Sequence, residues 1–166
     1  WNGTSWVQEQ KLLASDGAKN DLFGFSVSVS GNVAIIGTYT NSGSAYIFRR
    51  NGTLWVQEQK LLPLGGNDSA TVSVFGDVAV IGASRNNSGS ANAFRWNGTS
   101  WIRQNLTVSG SAAGDAVGYS VSISGDVVIV GALGDDVNGS NSGSAYVFRW
   151  NGTSWVQEQK LLASDG

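Results

Sequence analysis

Apolar and polar residues fall along this chain in short runs that recur in a constant order. Ser26-Val27-Ser28-Val29 alternates small polar and apolar side chains, the period of two expected of a strand with one buried face. Ser30-Gly31-Asn32 reads as a tight turn, with glycine free to take positive φ. Val33–Gly37 is a continuous apolar run, as in a strand buried on both faces. The Asn41-Ser42-Gly43-Ser44 loop leads to Ala45–Arg49, a third strand, and Asn51-Gly52 turns the chain into Trp55–Leu62, a fourth. No segment shows the 3.6-residue period of a helix.

Two further units follow the same plan. In the second, Thr71–Val74, Val78–Gly82, Ser90–Phe94 and Trp101–Leu106 take the four strand positions. Asn92 and Ala93 stand where the other units carry Tyr46-Ile47 and Tyr146-Val147, so this unit is expected to bury less apolar surface at its third strand and to be the softest. The third comprises Ser120–Ile123, Val127–Gly131, Ser144–Arg149 and Trp155–Leu162. Its loop between second and third strands, Gly134–Asn141, is the longest.

The units are tandem repeats. Anchored on Trp6, Trp55, Trp101 and Trp155, the steps are 49, 46 and 54 residues, and together they make 149. That is also the offset between Trp150–Gly166 and Trp1–Gly17, which are identical. The expected division is 1–22 as a surplus outer strand (Trp6–Leu13) and loop, 23–62, 69–106 and 117–162 as the repeats, and 163–166 as the start of another. With no methionine and no leader, the chain is expected to begin inside a longer protein.

Composition narrows the function. Charged residues make up 13% and the net charge is −2, which argues against nucleic acid or an anionic membrane as partner. Hydrophobic residues reach 41% with seven tryptophans, enough for a packed fold, yet no apolar run has the length of a membrane span. His and Cys are absent, removing the usual nucleophilic and metal-bound catalytic groups, so no active site is expected. Glu9, Glu58 and Glu158 each lie two residues from Lys11, Lys60 and Lys160. On a strand such pairs share a face, which suggests a cross-bridge or a solvated edge rather than paired catalytic acids. Trp96 and Trp101 flank an Asn-Gly-Thr-Ser turn and are expected to pack together across a hairpin.

Four antiparallel strands per unit with short turns describe the blade of a β-propeller, so the fold class is all-β, with three four-stranded blades and one surplus strand. Phe23-Gly24 followed by Gly37-Thr38-Tyr39 resembles an FG-GAP repeat, the blade unit of integrin α-subunit propellers. Gly82-Ala83-Ser84, and Val117-Gly118 with Gly131-Ala132-Leu133, are similar but altered forms of the same signature. The calcium loops of integrin blades have no counterpart here, because Ser30–Asn32, Phe75–Asp77 and Ser124–Asp126 are too short to surround an ion. Asp135, Asp136 and Asn138 are the separate candidate for a weak calcium site, with Asp16, Asn20 and Asp21 a poorer one; a solvated turn would select the same residues.

Asn2, Asn51, Asn67, Asn86, Asn97, Asn105, Asn138 and Asn151 begin N-x-S/T sequons and are candidate glycosylation sites, although in the four Asn-Gly-Thr copies a type I′ turn would equally select Asn-Gly. The resemblance implies an extracellular or cell-surface protein. Three blades do not close a ring. The expected function is therefore a non-enzymatic structural or adhesive segment of a longer array or filament, self-associating or followed by further copies of the repeat. The alternative is a closed ring, such as a six-bladed dimer, binding a protein or glycan through Asn67–Ala70 and Gly134–Asn141, with calcium assisting.

Overall fold

The computed structural model describes residues 2–39, 43–64, 69–84 and 89–164. Its strands are β1 (Ser26–Ser30), β2 (Val33–Gly37), β3 (Ala45–Asn51), β4 (Leu54–Leu61), β5 (Thr71–Phe75), β6 (Val78–Ala83), β7 (Ser90–Trp96), β8 (Trp101–Asn105), β9 (Val117–Ser124), β10 (Val127–Ala132), β11 (Ser144–Trp150) and β12 (Trp155–Leu161). They form three antiparallel meanders, β1-β2-β3-β4, β5-β6-β7-β8 and β9-β10-β11-β12, and no helix occurs among the described residues. These are blades 1, 2 and 3. The first and second strands of each blade, and the third and fourth, are joined by Gly-containing turns of two to four residues, whereas the second-to-third connections are longer.

The blades stack in chain order, and the core lies between them. One cluster joins Ile35, Ile47 and Leu61 of blade 1 to Val72, Val74, Ile81 and Trp101 of blade 2. A second joins Val78, Val80 and Leu106 of blade 2 to Ile123, Val130, Tyr146 and Trp155 of blade 3. A third, of Ile36, Tyr46 and Phe48 on the opposite face of blade 1, packs against Leu12, Ala14 and Phe23 from the segment before β1.

The inner strands use their two faces differently. Ser26, Ser28 and Ser30 accept hydrogen bonds from the backbone N–H groups of Val72, Val74 and Gly76, at 3.0, 3.1 and 3.1 Å. Ser73 accepts one from Ile123 at 3.1 Å. The hydroxyl side of β1 and of β5 thus satisfies backbone N–H groups of the next blade's inner strand, while that strand's apolar side chains pack back against the blade before. The expected single buried face is correct for β5, where Val72 and Val74 are buried. In β1 it fails, because Val27 and Val29 face outward on the side that no blade covers.

Residues 6–13, expected as a surplus strand, lie outside all three sheets. A strand needs a neighbouring backbone, and this segment reaches β4 by a side chain. Gln10 Nε2 donates to the Trp55 carbonyl and Oε1 accepts from the Trp55 N–H, both at 2.9 Å. Gln59 of β4 bridges Trp101 of β8 in the same manner, at 3.2 and 2.8 Å. Residues 6–13 therefore stand to blade 1 as β4 stands to blade 2.

The β3–β4 ladder pairs Ile47 with Gln59 and Phe48 with Gln57, leaving Glu58 as an extra bulge residue; Glu158 is its counterpart between β11 and β12. A bulge reverses the alternation beyond it. Glu58 and Lys60 consequently do not share a face. Glu58 turns toward blade 2, and Lys60 turns the other way to Asp16. Blade 2 lacks the bulge: β7 and β8 pair without a shift from Asn92–Asn105 to Trp96–Trp101. Its outer strand is one residue shorter between the tryptophan and the buried leucine, Leu61 or Leu106.

The expected tryptophan hairpins form, with ring centroids 5.9 Å apart for Trp96–Trp101 and 5.5 Å for Trp150–Trp155. The turns between them are not type I′, which needs positive φ at both central residues. Gly98 and Gly152 have φ of 99° and 97°, whereas Asn97 and Asn151 keep negative φ and use Oδ1 to accept the N–H groups two and three residues on.

Candidate functional site

The acid-rich loop after β10 is tied into its own blade. Asp135 is buried; its carboxylate pairs with Lys160 Nζ, accepts from Ser144 Oγ at 2.8 Å and takes the Val137 N–H at 3.1 Å. Burial pushes the Asp135 carboxyl up, but the Lys160 and Ser144 hydrogen bonds outweigh it and hold it below its ordinary value. Asp136 Oδ1 accepts the Asn141 N–H at 2.7 Å, and Asn138 Nδ2 donates to the Ala163 carbonyl at 2.9 Å. Both are exposed. Among the described residues no three acidic side chains gather where a metal ion could be held.

Blade 1 builds the same trio from a different loop. Asp16 accepts from Tyr46 Oη at 2.9 Å and from Lys60 Nζ at 2.7 Å. The Lys60 hydrogen bond holds the Asp16 carboxyl below its ordinary value, and the Asp16 partner raises Lys60 in turn. Asp16 precedes β1 and Asp135 follows β10, yet each meets a Tyr–Lys pair at equivalent ladder positions, Tyr46–Lys60 and Tyr146–Lys160. Asp21, the other acid of that loop, accepts the Ala18 N–H at 2.7 Å. Asn20 adopts a φ of 72° in the same loop.

The repeated glutamates are held as structural acceptors. Arg49 donates to both Glu58 oxygens, at 2.7 and 3.1 Å, and lies 4.9 Å from the Trp96 ring, while Trp101 Nε1 donates to Glu58 at 2.8 Å. Burial pushes Glu58 up; the Arg49 and Trp101 hydrogen bonds bring it down below its ordinary value. Arg149 pairs with Glu158 at 2.8 Å and with Asp126 at 3.1 Å.

The two end faces of the stack are unlike, and each leaves part of its apolar surface exposed. Val27 and Val29 are 67% and 64% exposed, whereas Val72 and Val74 at the same positions of blade 2 are 6% and 5%. At the other end Ile129 and Leu161 are 41% and 40% exposed, against 0% and 1% for Ile35 and Leu61. Ser120, Ser122 and Ser124 of β9 are exposed there too. A cleft of about 660 Å³ opens where the blades meet, lined by Phe25, Tyr39, Thr71, Ser84, Tyr119 and Leu133, with the Phe25 and Tyr39 rings 4.9 Å apart.

The FG-GAP repeat family matches residues 6–48 and 102–148, more than half of the chain. The chain belongs to the FG-GAP repeat family. A search of curated proteins finds no match. FG-GAP repeats are typical of extracellular or surface proteins, and the family is generally non-enzymatic. No helix among the described residues is long and apolar enough to cross a membrane.

The geometry gives the FG-GAP signature of this chain a physical meaning. A Cβ on Gly82 would collide with the Gly118 carbonyl oxygen, and one on Gly118 would lie 3.0 Å from Gly82 Cα. The glycine of one blade's GA pair and the glycine of the next blade's FG position are therefore a contact between backbones. Gly37 likewise approaches the Ala70 carbonyl of blade 2, where Ser69-Ala70 stands in place of Phe-Gly. Blade 2 lies largely between the two FG-GAP matches.

Of the sequon residues, Asn2, Asn51, Asn97, Asn105, Asn138 and Asn151 are exposed. Asn67 and Asn86 lie outside the described residues, as do Trp1, Asn41, Ser42, the first half of the Asn67–Ala70 loop and Asp165-Gly166. Sequence reasoning passed over the inner-strand serines and Gln59. Their signal was present, since Ser/Thr-x-Ser recurs in all three units (Ser26-Val27-Ser28, Thr71-Val72-Ser73 and Ser120-Val121-Ser122), but a small polar side chain on a strand reads as solvent-facing.

Proposed function

We propose that this chain is a non-enzymatic, extracellular structural or adhesive protein, a segment of a continuing FG-GAP blade array with a 149-residue period. The observation that carries the reading is the pair of unlike end faces, each with exposed apolar strand residues (Val27 and Val29 at one end, Ile129 and Leu161 at the other), on a chain whose first and last seventeen residues are identical. An apolar sheet face left in water is unfavourable at about 25 cal/mol per Å², and another blade is what covers such a face inside the chain. The exposed sequon asparagines fit a glycosylated surface protein.

The test is the mass and shape of native material, by light scattering and negative-stain imaging. Filaments, or particles of many repeats, support the array. A discrete ring of two chains would instead support a binding module, the reading favoured by the cleft beside Phe25, Tyr39 and Tyr119, whose aromatic faces and hydroxyls suit a glycan or a peptide.

A further inference from the structure

We propose that the valine face of blade 1 is the docking surface for the serine face of blade 3 of a second copy of this chain, in a head-to-tail contact that displaces residues 6–13. The inference rests on the array reading and names its interface. The chain already contains the same contact twice, between blades 1 and 2 and between blades 2 and 3, so the rule of pairing can be read from it and extended.

The rule has four parts. First, a serine of one inner strand accepts the N–H of the following position on the next: Ser28 takes Val74, and Ser73 takes Ile123. Extended by one blade, Ser122 takes Val29 of the second copy, and Ser120 takes Val27. Second, the FG-position glycine of one blade meets the GA glycine of the blade before it. Gly118 meets Gly82, but among the described residues a Cβ on Gly24 would meet nothing within 4 Å, and one on Gly131 would meet only atoms of Ser120 in its own blade. Gly24 and Gly131 are the two unsatisfied halves of one contact.

Third, the hydroxyl of Thr71 donates to the Gly118 carbonyl at 2.9 Å, and Ser120 holds the same place on blade 3, positioned for the Gly24 carbonyl of the copy. Fourth, the outer-strand glutamine clasps the backbone of the next blade's tryptophan. Gln59 clasps Trp101 while its own strand β4 is paired with β3. Gln159 occupies this position in β12 and is exposed, while the tryptophan it would clasp, Trp55 of the copy, is held by Gln10.

Gln10 and Gln159 belong to identical sequences and cannot both clasp one Trp55. β12 is anchored along the ladder to β11, whereas residues 6–13 have no strand partner. The N-terminal segment therefore gives way and β12 of the arriving copy takes its place. A heterologous contact of this kind builds either a closed ring or an open filament.

The experiment is sedimentation velocity of the 166-residue chain and of Val29→Asp and Ser122→Arg, at concentrations up to about 1 mM. Both residues are exposed, so folding is expected to be retained, and circular dichroism checks it. The wild type should associate, each variant alone should remain monomeric, and an equimolar mixture should form a one-to-one complex from the two intact faces. Gln159→Leu should weaken association, whereas Gln10→Leu, which frees Trp55, should not. A wild type that stays monomeric overturns the proposal. Association that both variants retain also overturns it, while leaving the array reading standing on a different interface. Equal effects of the two glutamine changes overturn the displacement of residues 6–13.

Discussion

Gly82→Ala and Gly131→Ala make the same change at equivalent strand positions, and the structure assigns them different costs. At Gly82 the new methyl would fall on the Gly118 carbonyl oxygen, 2.5 Å from Thr71 Oγ1 and 2.8 Å from the Gly118 carbonyl carbon. Two of these atoms are backbone, so blade 3 must retreat by ~1 Å to restore ordinary contact. Overpacking of this kind costs ~1–3 kcal/mol, and loss of the Thr71–Gly118 hydrogen bond adds ~1 kcal/mol. Replacing glycine returns ~0.5–1 kcal/mol through the unfolded chain. The net for Gly82→Ala is a destabilisation of ~1–3.5 kcal/mol, or a fall in Tm of ~2–14 °C for a chain of this size.

At Gly131 the only close atom among the described residues is the hydroxyl of Ser120, which can rotate away. Gly131→Ala should leave folding within ~0.5 kcal/mol of wild type or raise it slightly. Urea unfolding, followed by tryptophan fluorescence at a concentration where the chain is monomeric, measures both. Equal losses in the two variants would refute the claim that interblade backbone contact, rather than strand geometry, requires the glycine.

Other changes probe the polar contacts. Gln59→Leu removes both bonds to the Trp101 backbone and should cost ~1–3 kcal/mol in the same urea titration, while Gln159→Leu should leave monomer stability unchanged. Gln104→Glu should stabilise by ~1 kcal/mol. The Arg95 guanidinium lies 4.4 Å from the Trp150 ring, its buried Nε has no hydrogen-bond partner among the described residues, and Gln104 accepts Trp155 Nε1, so a carboxylate there would rebuild the Arg49–Glu58–Trp101 arrangement of blade 1. A fall in Tm would contradict it. Asp135→Asn should cost ~1–3 kcal/mol at neutral pH by breaking the pair with Lys160. Because the folded Asp135 carboxyl sits below its ordinary 3.8, its contribution is complete above that value and is lost as pH falls through it toward the folded pKa. The gap in stability between variant and wild type should therefore close on acidification, and a gap that persists well below that range would count against the assignment.

Much of the fold was legible because its cues are local. Alternation at Ser26–Val29, the apolar run at Val33–Gly37 and the glycine turns each specify strand or turn without reference to a distant residue. The Trp96–Trp101 pair was legible for the same reason, since a four-residue turn leaves its flanking residues opposite each other. The candidate site was less so. Asp135 could be seen as one acid among several, but its partner lies twenty-five residues away on β12, and the Asp16 that serves Lys60 comes from a non-equivalent loop. The Glu58 bulge escaped notice because strict alternation places Glu58 and Lys60 on one face, and only the register of β3 against β4 shows the inserted residue.

By itself the sequence determined the repeat period, the order of strands, the turns between them and the absence of histidine and cysteine. The tertiary structure decided which side of each strand is interior. Val27 and Val72 share a local sequence and a strand position, yet one is open and the other buried, because burial depends on whether a blade stands in front of it. That is a property of stacking between sheets, where hydrogen bonds and apolar contacts join residues some forty-six positions apart, and no local pattern encodes it.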